Sequence, residues 1–283
     1  MKELERKIAE RIEREGPVPF SVFMEMALYD GTWGYYRRDV CGRGGDYYTA
    51  AQLQPVFGAY VRTLAAALVP GYESFVDMGA GRGEMGEEMK EAVYWRVEAG
   101  EEIPKTNRSV LFSNELFDAM PVDLKQDGTL LRVKREGGRF AWHPHSPKEG
   151  VREERPGARE MLARAYASLE EGCYIVIDYG YKGREWARFP NGSLMSYRRH
   201  VASEEVLRDP GEADITAHVD WDALVADARA AGWIIRSQET LRASIMGLGE
   251  DVLEGLNLLG GMQLRTLLFG MGESFEVMLL EKK

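Results

Sequence analysis

The sequence predicts an α/β fold in which a mostly parallel sheet is covered by helices. Apolar runs of strand length occur at residues 75–78, 109–113 and 173–177, and each is followed closely by glycine or by polar and acidic residues. Segments with a helical period of apolar residues lie between these runs. In open α/β sheets the loops after such strands bind ligands, so we expect the functional site at the carboxyl ends of the strands.

The most informative segment is the turn that ends the first of these strands. It reads Val76-Asp77-Met78-Gly79-Ala80-Gly81-Arg82-Gly83. Glycine permits sharp turns and lets the backbone approach a ligand closely. Residues 81–86 also match the dinucleotide pattern G-x-G-x-x-G, which is a weak signal by itself. Because Asp77 would oppose a phosphate, the turn favours a cationic ligand. Its spacing resembles motif I of the class I S-adenosylmethionine methyltransferases, whose cofactor carries a sulfonium.

The elements before this turn form a cap and one core helix. Residues 2–12 have an amphipathic helical period that Gly16 and Pro17 end. Residues 19–46 are rich in aromatic residues and glycine, which predicts an N-terminal cap. Residues 55–68 predict a helix that leads into the first strand.

The elements after the turn predict further strands and helices of the same sheet. Residues 84–92 predict a short helix and residues 94–98 a second strand that ends at Glu98. Within residues 124–142, the dipeptides Asp127-Gly128 and Gly137-Gly138 predict tight hairpin turns. The later elements are a helix at 160–170, a buried strand at 173–178, a helix at 222–231 and a strand at 274–280.

Composition narrows the class of protein. The chain has 283 residues, 45% of them hydrophobic, which suffices for a substantial core. A formal net charge of −10 argues against a general nucleic-acid binder. Only Cys41 and Cys173 are present, so we expect no disulfide framework and a reducing, cytoplasmic location. The charged first residues and the lack of a long apolar run predict neither a signal peptide nor a membrane span, and no ligand set for a metal stands out.

Several blocks of the chain resemble one family. They are residues 20–57, Val76 to Gly83, Ser113-Asn114-Glu115-Leu116-Phe117-Asp118-Ala119-Met120-Pro121, Ile177 to Gly180, Gly192 to His200 and Asp214-Ile215-Thr216-Ala217-His218-Val219-Asp220. On these blocks the chain is similar to the MidA-like methyltransferases, the family of the mitochondrial complex I assembly methyltransferase and its bacterial relatives. The resemblance implies a class I, Rossmann-like methyltransferase fold, S-adenosyl-L-methionine as cofactor and, for the eukaryotic branch, a protein arginine as substrate.

Two departures from the family pattern bear on the cofactor site. Only a short connection separates the Glu98 strand from the strand at Ser109, too short for a crossover helix and a further strand. We therefore expect a sheet shortened at one edge and a reduced adenine wall. Ala51-Gln52 follows Thr49 where the family usually has Pro-Glu, which removes a carboxylate near the cofactor entrance.

The candidate cofactor residues follow from position and resemblance. We assign Asp77, Gly79, Gly81 and Gly83 to the glycine turn around the cofactor. Glu98 lies about 20 residues after Asp77, the interval at which nucleotide-binding α/β folds place an acid on the ribose. Asn114 and Thr49 complete the cofactor set, and Thr49 belongs to a predicted lid that also holds Tyr35, Tyr36, Asp46 and Tyr47.

The candidate catalytic residues are Glu115, Asp118 and His218. Glu115 and Asp118 can orient a guanidinium through charge-assisted hydrogen bonds, and an equally good alternative is that Asn114 or Glu115 caps a helix starting at Leu116. His218 can accept the proton that a methylated nitrogen releases, although on residue type alone a helix-capping histidine is more common.

The sequence thus predicts an S-adenosylmethionine-dependent methyltransferase that acts on a protein arginine. The alternative is a catalytically weakened or inactive relative that binds proteins as an assembly factor, and a nicotinamide-dependent oxidoreductase is a distant third. We expect one methyltransferase domain over residues 1–283, with a cap at 1–50 and an α/β core with a β-hairpin insertion at 51–283. The partners are a protein substrate and, at the open sheet edge, a second copy as a homodimer, with no nucleic acid and no membrane.

Overall fold

The computed structural model describes residues 2–37, 50 and 53–283, and these residues form two compact units. The first unit comprises Met1–Tyr48, Asp118–Ala158 and Tyr181–Asp220. The second comprises Thr49–Phe117, Arg159–Gly180 and Trp221–Lys283. Each unit has its own cluster of buried apolar side chains. None of the helices in the described ranges is long and apolar enough to cross a bilayer.

The elements are numbered along the chain. The helices are α1 (Glu3–Glu15), α2 (Phe20–Tyr29), α3 (Val56–Leu68), α4 (Ala158–Ser168), α5 (Trp221–Ala230), α6 (Leu241–Met246) and α7 (Glu250–Arg265). Short 3-10 turns occur at Tyr35–Arg37 and Glu185–Arg188, and a π-helical turn at Thr266–Gly270. The strands are β1 (Val18–Pro19), β2 (Ser74–Met78), β3 (Val93–Val97), β4 (Ser109–Asn114), β5 (Asp123–Gln126), β6 (Thr129–Glu136), β7 (Arg139–His143), β8 (Arg152–Glu154), β9 (Gly172–Tyr181), β10 (Met195–Arg198), β11 (Val201–Ser203), β12 (Asp214–Thr216), β13 (Val219–Asp220), β14 (Ile234–Thr240) and β15 (Phe275–Lys282).

The second unit is built on a mixed sheet with the order β14-β15-β9-β4-β2-β3. Strands β9, β4, β2 and β3 are parallel, whereas β15 and β14 are antiparallel to their neighbours. The inner strands β4 and β9 are almost entirely buried, as expected for the centre of a covered sheet. Phe57 of α3 packs with Phe112, and Phe75 packs with Phe112 at 5.5 Å between ring centroids. The predicted α/β fold is therefore confirmed, and four parallel strands end at the same edge.

The sheet ends at β3, which pairs only with β2 among the strands of this order. No helix or strand lies in residues 98–108, which contribute a single bridge from Thr106 to Leu169. The predicted shortened edge is thus confirmed, because the connection from β3 to β4 has no room for a helical crossover.

The predicted helix at residues 84–92 is wrong. This segment is a series of turns, closed by hydrogen bonds such as Gly86 N–H to the Gly83 carbonyl (3.0 Å) and Ala92 N–H to the Met89 carbonyl (3.0 Å). Only Met89 N–H to the Met85 carbonyl (3.1 Å) has helical spacing. Glycine disfavours regular helix, and the chain must already enter β3 at Val93, so tertiary placement outweighs the helical propensity of the glutamates.

The first unit joins the N-terminal helices to the hairpin insertion. Strands β5, β6 and β7 form the predicted meander, with β1 and β8 completing an antiparallel sheet. Asp127 and Gly128 both have positive φ (49° and 77°), as do Gly137 and Gly138 (57° and 81°), so both predicted hairpin turns are confirmed. A second small sheet has the order β11-β10-β12.

The N-terminal helices share one apolar core with this insertion. Leu4, Ile8 and Ile12 of α1 are buried, as their spacing predicts. Phe20 of α2 packs on Trp142 at 4.9 Å between ring centroids. Residues on both sides of position 50 therefore contribute to this core. The cap at residues 1–50 and the single domain over residues 1–283 stay predictions.

Candidate functional site

The glycine turn after β2 has the left-handed backbone that the sequence requires. Gly79, Gly81 and Gly83 have φ of 74°, 55° and 76°, a region that L side chains rarely adopt. A Cβ added at Gly79 would lie 3.0 Å from Leu116 Cδ1, whereas one added at Gly81 would meet nothing within 4 Å. The turn is therefore packed at Gly79 and open at Gly81, where the backbone can approach a ligand.

Asp77 is a buried carboxyl at the end of β2. Its side chain is 4% exposed, and the Tyr94 hydroxyl donates a hydrogen bond to Oδ2 at 2.5 Å. Burial raises the pKa of Asp77 to about 7, and the negative charges of Glu98 and Glu84 add to this rise. The Tyr94 hydrogen bond and the Arg96 charge oppose it. Near neutral pH, Asp77 therefore exchanges between its neutral and its ionised form.

The edge strand contacts the glycine turn through alternate residues, which are Tyr94, Arg96 and, just after the strand, Glu98. Besides its bond to Asp77, the Tyr94 ring would be 3.2 Å from a Cβ added at Gly86. The Arg96 guanidinium donates to the Gly81 carbonyl, and its Cδ would be 3.1 Å from a Cβ added at Gly83. These spacings place one face of the edge strand against the turn.

Glu98 stands beside this turn with its carboxylate partly exposed to solvent. Burial raises its pKa, while the Arg96 charge and a hydrogen bond from the Gly81 N–H lower it. Arg96 Nη2 lies 3.9 Å from Glu98 Oε1. The predicted ribose ligand is thus oriented by the same turn that is predicted to hold the cofactor.

Asn114 and Glu115 lie at the end of β4, next to β2 in the sheet. Glu115 has a positive φ of 52°, and its Oε1 accepts hydrogen bonds from the Ala50 N–H (3.0 Å) and from Asn114 Nδ2 (3.1 Å). Within the described part of the chain, Asn114 Oδ1 is buried without a hydrogen-bond partner. Because no helix starts at Leu116, the alternative that Asn114 or Glu115 caps a helix is wrong.

Asp178 of β9 is fully buried and holds the loop after β4. Its two oxygens accept hydrogen bonds from the Phe117 N–H (2.8 Å) and the Tyr179 N–H (2.9 Å). Both donors are main-chain groups. This carboxylate therefore orders the loop backbone.

Asp118 lies in the first unit, whereas Glu115 lies in the second. The Asp118 side chain is 4% exposed, and the Asp118 carbonyl accepts a hydrogen bond from the Ala217 N–H at 3.0 Å. Burial raises the pKa of Tyr197, and the charges of Asp118 and Asp214 raise it further. The Tyr36 hydroxyl donates to Asp214 Oδ1 at 2.8 Å. Two buried carboxyls of the first unit thus lie near tyrosine hydroxyls.

His218, also in the first unit, is fixed by its main chain. Its N–H donates to Ser193 Oγ at 2.8 Å, and Ser193 Oγ donates to buried Glu153 at 2.5 Å. The imidazole packs on the Phe189 ring at 4.4 Å between centroids. Burial and the charges of Arg155 and Arg188 lower the pKa of His218 to about 4, so the ring is neutral at neutral pH.

Sequence reasoning missed Tyr94, Arg96 and the Glu153–Ser193 pair. The signal for the first two was present, because a strand ending at Glu98 places Tyr94 and Arg96 on the same face as Glu98. For Glu153 and Ser193, 40 residues apart, no local pattern exists. Of the predicted lid, Tyr35 and Tyr36 are described, while Asp46, Tyr47 and Thr49 lie outside the described residues, as do Ala51 and Gln52.

The second unit fits S-adenosylmethionine by the chemistry of its donors and acceptors. The open backbone at Gly81 gives a cradle without a side chain, and Glu98 offers a carboxylate for vicinal hydroxyls. Asn114 Oδ1, which has no hydrogen-bond partner among the residues that the structure describes, can accept a hydrogen bond from a ligand amino group. Asp77 in its ionised form favours a cation.

Comparisons with known proteins agree with this reading. Residues 138–237 match the family model described as "Putative S-adenosyl-L-methionine-dependent methyltransferase". The chain is 21% identical to the mitochondrial protein arginine methyltransferase NDUFAF7 of Danio rerio, over 79% of this chain and 71% of the relative. It is also 21% identical to the NDUFAF7 homolog of Drosophila melanogaster, over 77% of this chain and 68% of the relative.

Two solved structures have the same fold. A COG1565 superfamily member from Burkholderia thailandensis, bound to S-adenosyl-homocysteine, gives a TM-score of 0.85 at 23% identity, covering 99% of this chain and 92% of that chain. A native structure of a COG1565 superfamily protein from the same organism gives 0.82 at 22% identity, covering 99% and 91%. Together with the glycine turn, these matches support one resemblance. The chain is similar to the MidA-like family of S-adenosylmethionine-dependent methyltransferases.

Proposed function

We propose that this methyltransferase transfers the methyl group to an arginine side chain of a protein. The proposal rests on the two curated relatives, which are both named protein arginine methyltransferases. The chain's own chemistry supports it, because carboxylates recognise guanidinium through charge-assisted hydrogen bonds and each unit places predicted carboxyl residues in ordered positions. Glu115 is held at the end of β4, and Asp118 is buried in the first unit.

On the cofactor side, the chain's residues bind and orient. S-adenosylmethionine supplies a methyl group on a sulfonium, and its in-line transfer needs alignment and exclusion of water more than acid or base strength. Glu98 would hold the ribose, Asn114 Oδ1 would accept a hydrogen bond from an amino group of the cofactor, and ionised Asp77 would favour its positive charge. A Cβ added at Gly81 would meet nothing within 4 Å, so the turn leaves space for the cofactor on that side of the backbone.

On the acceptor side, Glu115 of the second unit and Asp118 of the first unit each stay a separate candidate for contact with the guanidinium. His218 is a weaker candidate for the proton acceptor than its residue type suggests. With a pKa of about 4, its conjugate acid holds a proton poorly at neutral pH. We therefore assign the released proton to solvent or to a carboxylate, and regard His218 as part of the Ser193–Glu153 network.

The test is methyl transfer from labelled S-adenosylmethionine to a peptide rich in arginine, compared with the same peptide carrying lysine at every arginine. We expect label only with the arginine peptide, recovered as methylarginine after hydrolysis. Glu115→Gln and Asp118→Asn are expected to lower kcat/KM for the peptide while the cofactor Kd stays unchanged. Glu102→Gln, at an exposed acid outside the glycine turn, is the matched control. Label on lysine would refute the arginine assignment.

A weakened or inactive relative that acts as an assembly factor is the second candidate. The observation that favours it is the shortened sheet edge together with turns in place of a helix at residues 84–92. Cofactor binding without transfer to the arginine peptide or to protein extracts would support this candidate. Transfer to any protein acceptor would exclude it.

A further inference from the structure

The outer side of α7 in the second unit carries large apolar side chains that are open to solvent. Leu258 is 81% exposed, Leu259 53% and Met262 82%, and Phe269 of the following π-helical turn is 69% exposed. We call these four residues the α7 surface. Large exposed apolar side chains that are grouped in one segment are typical of interaction surfaces.

Charges of opposite sign lie on α7 on the two sides of Leu258, Leu259 and Met262. Glu254 lies one turn before Leu258, and Arg265 lies one turn after Met262; both are exposed. Across residues 2–37, 50 and 53–283, neither Glu254 nor Arg265 forms an ion pair or a side-chain hydrogen bond. Glu250 and Asp251 extend the acidic end of the helix. The helix is therefore acidic at its start, apolar in its middle and basic at its end.

This arrangement is self-complementary. In an antiparallel, two-fold symmetric contact of two copies of α7, the acidic start of each copy lies toward the basic end of the other, and any pairing of Glu254 with Arg265 occurs twice by symmetry. The axis then passes near Gly260, where α7 is interrupted by an extended backbone. A Cβ added at Gly255 would meet nothing within 4 Å, so the helices can approach closely beside the apolar residues.

We propose that the α7 surface binds a second copy of this chain and forms a two-fold symmetric dimer. Isologous contact of this type uses the same patch on both subunits. Burial of Leu258 and Met262 supplies the attraction, and two Glu254–Arg265 pairs set the antiparallel register. This differs from the sequence-based expectation, which placed a homodimer at the open sheet edge.

The sheet edge is the weaker candidate for this contact. Val93 and Trp95 of β3 are 56% and 44% exposed, so an apolar side is present there too. However, the neighbouring charges Arg96 and Glu98 lie within 4 Å of each other in the same chain. They leave no complementary pair of unsatisfied charges to select a second copy.

Sedimentation velocity of the full chain over a concentration range up to about 100 µM tests the proposal. We expect a monomer–dimer equilibrium whose Kd rises at least about a hundredfold in Met262→Lys. Glu254→Arg alone and Arg265→Glu alone are each expected to weaken self-association about tenfold, because like charges then meet twice across the axis. An equimolar mixture of these two variants is expected to regain the wild-type Kd, since both cross pairs become opposite in sign.

Circular dichroism melting of each variant checks that it folds, and Trp95→Lys on β3 is the control that is expected to leave the dimer unchanged. Three results would overturn the proposal. They are a wild-type chain that stays monomeric at about 100 µM, a mixture that fails to regain association, and loss of the dimer in Trp95→Lys. Because none of these measurements uses the methyl transfer reaction, failure of the proposed arginine activity leaves the dimer test intact.

Discussion

Asp77 provides the sharpest test of the cofactor site, because its pKa of about 7 lies inside the working pH range. The perturbation is a change of pH together with Asp77→Asn. The pKa of Asp77 rises from its ordinary value near 3.8 to about 7. Relative to water, the protein environment therefore disfavours the ionised carboxylate by about 4 kcal/mol. A bound sulfonium reverses this preference, because opposite charge favours the ionised carboxylate.

The sign of the pH dependence follows from this linkage. If S-adenosylmethionine binds the ionised form, its affinity is constant above about pH 7 and falls about tenfold for each unit below it. Binding at about pH 6 then releases close to one proton. In the cofactor-free protein the unfolded chain ionises first, so stability falls as pH rises from about 4 to about 7 and is constant above.

Calorimetric titration in two buffers with different ionisation enthalpies measures both the Kd and the protons released. S-adenosylhomocysteine lacks the sulfonium charge and is expected to show a smaller pH dependence. In Asp77→Asn the pH dependence of S-adenosylmethionine binding is expected to flatten, and the melting temperature at about pH 8 to rise. A wild-type profile that is flat between about pH 5.5 and 8, or one that Asp77→Asn retains, would refute the reasoning.

Two further predictions concern the same turn. Glu98→Gln is expected to weaken the binding of both S-adenosylmethionine and S-adenosylhomocysteine by about 1.5–3 kcal/mol, since a charge-assisted bond to the ribose is lost. Calorimetry measures both affinities, with Glu102→Gln as the control. Weaker binding of only one of the two ligands would contradict this prediction. Gly83→Ala adds a Cβ 3.1 Å from Arg96 Cδ at a φ of 76° and is expected to cost about 1–2 kcal/mol of unfolding free energy, measured by urea denaturation. Gly31→Ala, whose Cβ meets nothing within 4 Å, is its control, and equal losses in both variants would contradict the strain argument.

The parts of the fold that the sequence predicts correctly are those with a local cause. The buried strands β4 and β9 are continuous apolar runs, and the hairpin turns at Asp127-Gly128 and Gly137-Gly138 need residues that tolerate positive φ. The shortened edge follows from counting residues between Glu98 and Ser109. In each case a short stretch of chain contains the whole reason for the structure.

The parts that the sequence does not predict depend on distant partners. Residues 84–92 have the glutamates of a helix and form turns, since they are confined between the glycine turn and β3. Strand β14 is only partly buried and α7 contains three glycines, so neither has a strong period. The separation of Asp118 and His218 from Glu115 into different units is likewise invisible locally, because each unit is assembled from three segments.

The sheet is shortened at the edge next to the predicted cofactor site. Whether this site can still bind the cofactor depends on the face of β3 that contacts the glycine turn. A turn without a regular helix behind it would be poorly ordered if nothing else held it. Here Tyr94 holds Asp77, and Arg96 holds the Gly81 carbonyl and lies beside Glu98. These contacts from β3 hold the turn in place, as a helix directly after the turn would otherwise do. We therefore expect the short connection between β3 and β4 to reduce the adenine wall while the residues predicted for the ribose and methionine side stay in place, so that cofactor binding is weakened rather than abolished.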